Sequence, residues 1–272
     1  MTRDIFSLQD RVAVVTGGLG LLGQQFSVSL VERGARVSII DLQRRPARST
    51  PDFEQHCADG NITVDIADIT KRDEIEKTLD LITSRWHVPD ILINNAAIDS
   101  PPNAPAEENG PFESYPENSL DRIIDVNLKG TFLCCQVIGG AMARRGKGSI
   151  INIASIYGMV SPNQDIYEYK RKSGRDWYKP AAYAVTKSAI LNLTRYLATY
   201  WAKKGVRVNT LSPAGVFNEQ DEEFLKEYQK RIPIGRMAKP DELNGAIIFL
   251  ASDASSYMTG ANLVVDGGWT SW

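Results

Sequence analysis

Short apolar runs alternate with longer segments of helical periodicity along nearly the whole chain. The first run, VAVVT at 12–16, is apolar throughout and rich in β-branched residues, as is typical of a strand buried on both faces. Comparable runs follow it, namely RVSII, NITVD, DILINN, GSIINIAS, RVNTLS and ANLVVD. This alternation predicts an α/β fold, a Rossmann-type doubly wound parallel sheet of about seven strands with helices on both faces.

The predicted helices fall between these strands, and no change of composition marks a linker. We therefore expect a single domain over residues 1–272. The helices are predicted for LLGQQFSVSLVERG, KRDEIEKTLDLITSRW, residues 116–145, AAYAVTKSAILNLTRYLATYWAKKG, and about 219–231 and 240–252. The polar stretch 46–60 shows no periodicity and predicts an irregular connection.

Two polar stretches interrupt the alternation. Five prolines fall within 101–116, so residues from about 98 to 116 predict a long surface loop, either a substrate lid or a plain excursion. The second stretch, about 161–180, is polar and aromatic and carries five basic and three acidic residues. It is either a solvated cover or a surface that contacts a hydroxylated or anionic substrate.

A glycine-rich turn joins the first strand to the first helix. Gly17, Gly20 and Gly23 lie in this turn, and the next strand ends on Asp41, 18 positions after Gly23. Strand, glycine turn, helix, strand and terminal acid are the signature of a dinucleotide-binding βαβ unit. Glycines let the backbone approach a pyrophosphate, which is also attracted by the helix N-terminus.

Asp41 also bears on which dinucleotide binds. A carboxylate at the end of the second strand accepts hydrogen bonds from a ribose 2′-hydroxyl and repels a 2′-phosphate. The sequence therefore favours NAD over NADP. Arg44 and Arg45 lie close by and favour a phosphate if they reach the site, but we interpret them as residues of a solvated loop.

Bulk composition excludes several other classes. The net charge of −2 gives no field that would attract nucleic acid or an anionic membrane. The N-terminal MTRDIFSLQDR has no apolar signal core, and no run of 18 apolar residues occurs. Three cysteines, an odd and sparse number, fit a reducing compartment. We therefore expect a cytoplasmic protein that does not associate with membranes.

The scarcity of histidine removes most hydrolase and metalloenzyme chemistry. The chain has two histidines, His56 and His87, both in polar surroundings and neither with a partner at ligand spacing. A Ser-His-Asp triad and most zinc sites need histidine. We expect no metal site.

The segment YAVTK at 183–187 offers different chemistry. Tyr183 and Lys187 are four positions apart, which puts both side chains on one face of a helix. An ammonium group beside a phenol favours the phenolate and lowers its pKa, so the pair can act as a general acid and base. A second pair at the same spacing, Tyr200 and Lys204, leaves the choice open on spacing alone.

The order of these landmarks resembles that of the short-chain dehydrogenase/reductase family over nearly the whole length. The segments that carry the resemblance are TGGLGLLG at 16–23, Asp68-Ile69, Asn94-Asn95-Ala96-Ala97, Asn127, Ser155, Tyr183 with Lys187, Pro213-Ala214-Gly215 and the Asp-Gly-Gly at 266–268. The resemblance implies an NAD(P)-binding Rossmann domain. It also implies that Tyr183, not Tyr200, is the reactive tyrosine.

The resemblance implies two sets of site residues. The catalytic residues are expected to be Asn127, Ser155, Tyr183 and Lys187. The cofactor-binding residues are expected to be Gly17, Gly20, Leu21, Leu22, Gly23, Asp41, Leu42, Asp68, Ile69, Asn95, Ala96, Ala97, Tyr183, Lys187, Pro213 and Val216. Tyr183 would exchange the substrate proton, Lys187 would lower its pKa and hold the nicotinamide ribose, Ser155 would bind the substrate oxygen, and Asn127 would support a water relay.

Three departures from the family pattern stand out. Leu21 occupies a position that is usually glycine in TGxxxGxG, and the middle glycine is instead Gly20. Ala97 replaces another glycine. Ser155 and Tyr183 are 28 positions apart, a longer gap than usual, and the extra residues fall at about 161–180. We expect this insert to overhang the substrate.

These observations predict an NAD-dependent oxidoreductase that interconverts a secondary alcohol and a ketone on a small substrate that is hydroxylated or anionic and sugar-like. The alternatives are a 3-oxoacyl-carrier reductase, which Asp41 disfavours, and a nucleotide-sugar epimerase or dehydratase with retained NAD. A non-catalytic NAD-binding protein is a third. The resemblance also implies a homodimer or homotetramer. The aromatic tail with Trp269 and Trp272 would be buried at such an interface or within one subunit.

Overall fold

Seven parallel strands form one sheet in the order β3-β2-β1-β4-β5-β6-β7. A computed structural model describes residues 4–99, 106–174 and 176–272 of the chain. The strands are β1 (Val12–Thr16), β2 (Arg36–Asp41), β3 (Ile62–Ile66), β4 (Ile91–Asn94), β5 (Gly148–Ile153), β6 (Val206–Pro213) and β7 (Asn262–Val265). The predicted doubly wound sheet is confirmed. Its order reverses between β1 and β4, where a crevice opens beyond the carboxyl ends of the strands.

Helices connect the strands on both faces. They are α1 (Leu21–Glu32), α2 (Pro51–Ala58), α3 (Arg72–Arg85), α4 (residues 117–145), α5 (Glu168–Lys172), α6 (Ala181–Trp201), α7 (Glu222–Gln229) and α8 (Asn244–Ala251). The last of these follows a short 3₁₀ turn at Pro240–Leu243. Among the residues that the structure describes, no helix is long and apolar enough to span a bilayer.

Helix α2 lies inside the stretch 46–60, so the prediction of an irregular connection there was wrong. Thr50 caps the helix, because its hydroxyl accepts a hydrogen bond from the Phe53 backbone nitrogen at 3.3 Å. Pro51 occupies the first turn, where its missing N–H costs nothing. Phe53 is buried and anchors an otherwise polar helix.

Helix α4 is continuous but not uniform. Two π-helical segments, Asp125–Gly130 and Cys135–Gly139, interrupt its α-helical hydrogen bonding. Segments of this kind are rare and often occur at functional sites. The first of them contains Asn127, which is therefore presented from an irregular part of the helix.

The inner strands β1, β4, β5 and β6 are buried on both faces, which explains their continuous apolar runs. Val14, Leu92 and Ile150 belong to a core cluster that also contains residues of α3, α4 and α6. Val15, Ile93 and Ile151, one position later in each strand, belong to a second cluster with residues of α1 and α8. The two clusters follow the period of two along each strand.

The insert at 161–180 folds as a compact unit over the carboxyl edge of the sheet. Gln164 ties its two ends together, because its amide donates to the Lys179 carbonyl oxygen at 3.0 Å and accepts from the Lys179 nitrogen at 2.9 Å. Ile166 and Tyr167 of the insert are buried in a third cluster with Tyr228. Arg175 and, in the predicted loop at 98–116, residues 100–105 lie outside the described residues.

Candidate active site

A cleft of about 550 Å³ opens at the point where the strand order reverses. We call it the glycine-turn cleft. Eleven of the predicted cofactor residues line it: Gly17, Gly20, Leu21, Leu22, Asp41, Leu42, Asp68, Ile69, Asn95, Ala96 and Ala97. Gly23 lies behind the turn and does not line the cleft.

Two glycines of the turn are required by the backbone. Gly17 has a φ of +60°, and a Cβ there would lie 2.7 Å from the Ala96 Cα. A Cβ on Gly23 would lie 2.5 Å from the Gly17 carbonyl oxygen. The turn therefore packs against both the first helix and the segment after β4 with no room for a side chain.

Gly20 and Leu21 are under less constraint, which accounts for the unusual glycine spacing. Gly20 precedes helix α1 with a φ of −73°, and the nearest atom to a Cβ would be the Gly17 carbonyl oxygen at 3.4 Å, an ordinary contact. Leu21 is 42% exposed on the wall of the cleft. A leucine is accommodated here because its side chain extends into the open cleft.

The segment after β4 is braced against the glycine turn. The Thr16 hydroxyl accepts hydrogen bonds from the backbone nitrogens of Asn95 and Ala96, both at 3.1 Å. The Asn95 amide donates to the carbonyl oxygens of Thr16 and Gly17 at 3.2 and 3.0 Å. These bonds fix the floor of the glycine-turn cleft without any bound molecule.

Acidic side chains stand at the far end of the cleft. Asp41 ends β2, and its carboxylate accepts a hydrogen bond from the Leu19 nitrogen at 3.2 Å. Asp68 accepts from the backbone and hydroxyl of Thr70 at 2.9 and 2.8 Å. This cleft fits a dinucleotide. The glycine turn at one end has room for the pyrophosphate, and the Asp41 carboxylate at the other end can bind the ribose.

A second pocket, of about 340 Å³, adjoins this cleft. We call it the Tyr183 pocket. Leu22, Asn95 and Ala97 line both spaces. The predicted residues Ser155, Tyr183, Lys187, Pro213 and Val216 line this pocket. A ligand extended along the cleft would therefore end beside Tyr183.

Ser155 and Tyr183 meet although 28 positions separate them in the chain. Ser155 follows β5 in an extended conformation, and Tyr183 lies in the first turn of α6. Burial raises the pKa of the Tyr183 phenol above its usual value, the Asp99 carboxylate raises it further, and a hydrogen bond with Ser155 lowers it. The balance favours the protonated phenol.

Lys187 is buried one turn after Tyr183. Its ammonium donates to the Ile153 carbonyl oxygen at 2.7 Å and lies 5.5 Å from the centre of the Tyr183 ring. Burial lowers the pKa of Lys187 to about 8, against the opposing influence of Asp99. Burial and Asp99 therefore raise the pKa of Tyr183 above its usual value, and the expectation that Lys187 lowers it stays a prediction.

Asn127 lies beside this pocket but does not line it. Its side-chain oxygen accepts from the Ile98 nitrogen at 2.8 Å, and its amide donates to the Ile98 carbonyl oxygen at 2.9 Å. The same amide donates to the Thr186 hydroxyl at 3.2 Å. Asn127 thus joins helix α4 to the strand-end loop and to the residue before Lys187.

Several residues of the Tyr183 pocket have no counterpart in the sequence motifs. Asp99 follows β4, and Lys179 is the last residue but one before α6. They form an ion pair in which the lysine side chain is only 9% exposed. Lys179 Nζ also lies 5.3 Å from the centre of the Tyr183 ring. The walls are aromatic and include Tyr157, Tyr167 and Tyr228. The one available signal was the polar, aromatic composition of the insert.

The competing pair Tyr200 and Lys204 has similar local geometry, but it lies in an exposed depression on the outer side of α6. Lys204 Nζ lies 5.3 Å from the centre of the Tyr200 ring. Tyr200 is 57% exposed near the end of α6 and stacks on Tyr196. The same spacing therefore gives nearly the same lysine-to-ring distance in both pairs, and the two tyrosines differ in their burial and surroundings.

Comparison with known proteins gives consistent matches over the whole chain. Residues 21–270 match the family model described as Enoyl-(Acyl carrier protein) reductase. The NAD-dependent glycerol dehydrogenase of Listeria innocua is 32% identical over 273 residues, covering 97% of this chain and 96% of that protein.

Two solved structures are also similar. One is a short chain dehydrogenase from Leptospira borgpetersenii with bound NAD⁺, 34% identical with a TM-score of 0.85, covering 99% of this chain and 97% of that one. The other is a gluconate 5-dehydrogenase from Burkholderia cenocepacia in complex with NADP and tartrate. It is 30% identical with a TM-score of 0.83, covering 99% and 98% of the two chains.

Proposed function

Because the chain belongs to the short-chain dehydrogenase/reductase family, we propose that it interconverts a secondary alcohol and a ketone on a hydroxylated, sugar-like substrate. The observation that carries the proposal is that the glycine-turn cleft and the Tyr183 pocket adjoin each other. The glycine-turn cleft fits NAD(P), and the adjoining Tyr183 pocket brings Ser155, Tyr183 and Lys187 together. A bound nicotinamide supplies or accepts the hydride, and the protein supplies position and protons.

Tyr183 is the proton-transfer group in this proposal. Its phenol donates a proton to the forming alkoxide in reduction, and its phenolate takes the alcohol proton in oxidation. Ser155 hydrogen-bonds the same substrate oxygen, where charge develops. The raised pKa of Tyr183 favours the phenol, which is the form needed to reduce a ketone. Lys187 offers a buried positive charge that stabilises the phenolate in the reverse direction.

Asp41 supports NAD as the preferred cofactor. Its carboxylate stands at the end of β2 on the wall of the glycine-turn cleft, whereas Arg44 and Arg45 are exposed. A ribose 2′-hydroxyl can donate to this carboxylate, and a 2′-phosphate would be repelled by it. Similar structures carry either dinucleotide, so the preference rests on Asp41.

Aromatic and polar walls support a polyhydroxylated substrate. Tyr157, Tyr167 and Tyr228 offer ring faces to the carbon skeleton, and Asp99 and Lys179 offer hydrogen bonds to hydroxyl groups. One relative is named as a glycerol dehydrogenase, and glycerol is a molecule of this kind.

Acyl-thioester reduction is the second candidate. It is favoured by the matched family model, whose description is that of an enoyl-carrier reductase. It is disfavoured by the ion pair inside the Tyr183 pocket, because an apolar acyl chain would leave these charges without hydrogen-bonding substituents.

We further propose that the protein forms a homodimer or homotetramer through its long helices. Phe132 of α4 and Tyr196 and Tyr200 of α6 are each about half exposed and line a common depression. Trp269 is buried against Tyr228 within one subunit, whereas Trp272 is 80% exposed. The predicted cytoplasmic location stays a prediction.

A substrate screen tests the proposed function. Reduction of NAD⁺ and NADP⁺ is measured at 340 nm with alditols, sugars, aldonates and nucleotide sugars, and oxidation of NADH and NADPH with acetoacetyl and crotonyl thioesters. The proposal expects turnover with a polyhydroxylated alcohol and NAD⁺. Turnover with thioesters alone would support the second candidate, and tightly retained NAD with no net reduction would support an epimerase or dehydratase.

A further inference from the structure

An ion pair from two distant segments lines the Tyr183 pocket, with the Lys179 side chain buried and the Asp99 side chain 42% exposed. Asp99 comes from the loop after β4, and Lys179 comes from the end of the insert. We propose that this pair determines substrate specificity: it binds hydroxyl groups of an uncharged polyol and discriminates against substrates with a carboxylate or phosphate. The inference rests on the proposed dehydrogenase function and narrows its substrate class from hydroxylated, sugar-like molecules of any charge to uncharged polyols.

The position of Lys179 is fixed before substrate binds. Both backbone polar groups of Lys179 are hydrogen-bonded to the Gln164 side chain, so the start of its side chain cannot shift freely. The side chain is 9% exposed, and the ammonium lies 5.3 Å from the centre of the Tyr183 ring. The pair therefore stands beside Tyr183, where it could contact a hydroxyl group next to the carbon that reacts at this tyrosine.

Apart from Lys187, the charges that line the Tyr183 pocket in the described part of the chain are one cation and one anion, so no further cation is available there for a substrate anion. Among the described residues that line it, those charged at neutral pH are Asp99, Lys179 and Lys187. Lys187 already donates to the Ile153 carbonyl oxygen, and in the proposed function its charge serves the Tyr183 phenolate and the cofactor. Lys179 is already neutralised by Asp99. An anionic substituent would have to separate this pair and would face the Asp99 carboxylate at short range.

A hydroxyl group meets no such obstacle. It is a donor and an acceptor at once, so it can donate to the Asp99 carboxylate while accepting from the Lys179 ammonium. Both hydrogen bonds involve a charged partner, and such bonds are stronger than those between neutral groups. The paired charges thus recognise a neutral polyol without being pulled apart.

Kinetics with matched substrates test the proposal. The constants kcat and KM are measured for four- to six-carbon alditols and the corresponding aldonates, using the full-length wild type, Asp99→Asn, Lys179→Gln and the control Asp165→Asn, which is exposed on the same insert. The wild type is expected to prefer alditols. Asp99→Asn should lower kcat/KM for alditols by about 10- to 100-fold, the loss of one hydrogen bond to a charged group, and raise it for aldonates.

For Lys179→Gln, the kinetic constants report on specificity, whereas dinucleotide affinity and melting temperature report on folding. Lys179→Gln should raise KM for alditols more than it lowers kcat and give no gain with aldonates, while dinucleotide affinity and the melting temperature stay near the wild-type values. Asp165→Asn should leave all ratios unchanged. If Asp99→Asn does not fold, the wild-type preference and the KM effect of Lys179→Gln still decide the question.

Failure of this inference is distinguishable from failure of the proposed function. If no alcohol of either class is oxidised with NAD⁺ or NADP⁺, the dehydrogenase function itself is wrong. If the wild type oxidises aldonates as well as alditols, or if Asp99→Asn keeps the wild-type ratio, the function stands and the role of the Asp99–Lys179 pair is overturned.

Discussion

Lys187 Nζ lies 5.5 Å from the centre of the Tyr183 ring while donating its hydrogen bond to the Ile153 carbonyl oxygen at 2.7 Å. The two residues are thus coupled through their electric field, and β5 fixes the lysine in place. The field of Asp99 acts on both of them and raises both pKa values. Burial and the Asp99 carboxylate therefore shift the pKa of both members of the pair.

Replacing Tyr183 by Phe should remove turnover and leave dinucleotide binding intact. The phenol supplies proton transfer, which contributes about 10²- to 10⁴-fold to rate, whereas the ring that fills the pocket is kept. NAD⁺ reduction and calorimetric NAD⁺ binding measure the two effects. Tyr200→Phe is the matched control, since Tyr200 pairs with Lys204 in the same way on an exposed surface. Equal activities of the two variants would refute the role of Tyr183.

Replacing Asp99 by Asn should move the pH profile of alcohol oxidation toward lower pH on both sides. The carboxylate raises the pKa of Tyr183 and of Lys187, so its removal lowers both. Oxidation needs the Tyr183 phenolate, so a lower Tyr183 pKa moves the acidic limb of the profile to lower pH. The phenolate is stabilised by a protonated Lys187, so a lower Lys187 pKa moves the alkaline limb to lower pH as well. The measurement is kcat as a function of pH at saturating substrate, with Asp165→Asn as control. An upward shift of either limb would contradict the electrostatic argument.

Substituting the glycines of the turn should distinguish the position where glycine is required from the position where alanine is tolerated. Gly23→Ala places a Cβ 2.5 Å from the Gly17 carbonyl oxygen, and we expect a loss of about 1–3 kcal/mol in unfolding free energy together with weaker NAD⁺ binding. Gly20→Ala meets its nearest atom at 3.4 Å and should cost less than about 1 kcal/mol. Urea unfolding and NAD⁺ titration check both. Comparable losses at the two positions would show that the turn differs from this geometry.

Replacing Asp41 by Ala should shift cofactor preference. Loss of the carboxylate removes a hydrogen bond to the NAD ribose and the repulsion of a 2′-phosphate, so kcat/KM should fall about 10-fold or more for NAD⁺ and rise for NADP⁺. Asp59→Ala, on the exposed end of α2, is the control. The prediction is wrong if the NAD⁺/NADP⁺ ratio is the same in both variants.

Charging the exposed aromatic patch should disrupt assembly. Tyr196 and Tyr200 stack on each other at a centroid distance of 5.9 Å on the outer side of α6. A double change to Asp would bury two charges in the proposed interface and should lower the mass measured by light scattering. Leu81→Asp, on the exposed side of α3, should leave the mass unchanged. An unaltered mass in the double variant would place any interface elsewhere.

The fold followed from the sequence wherever periodicity was long or continuous. Runs such as VAVVT are apolar because successive residues face different core clusters, so their pattern could be read directly. Helix α2 was missed because eight mostly polar residues carry little periodicity, and its evidence is the local cap at Thr50 and one buried ring at Phe53. Short, capped helices are specified by details that a search for periodicity passes over.

The site was predicted only as far as motifs extend. Ser155, Tyr183 and Lys187 follow the order of the family motifs, and Tyr183 and Lys187 keep a spacing of four, so the sequence indicated all three. The structure places them around one pocket. Asp99, Lys179 and Tyr228 come from three loops or helices far apart in the chain, and no local pattern joins them. The sign of the Tyr183 pKa shift was also beyond the sequence, because it depends on burial and on Asp99.

Gln164 joins the two ends of the insert at 161–180, and this should allow substrate specificity to change independently of cofactor specificity. Because one side chain holds its two ends together, we expect the segment 164–179 to act as an exchangeable cassette whose replacement leaves β5 and α6 in place. The residues that face the dinucleotide lie on other loops. Exchange of this cassette offers a route by which such a scaffold can acquire a new alcohol while its redox partner stays the same.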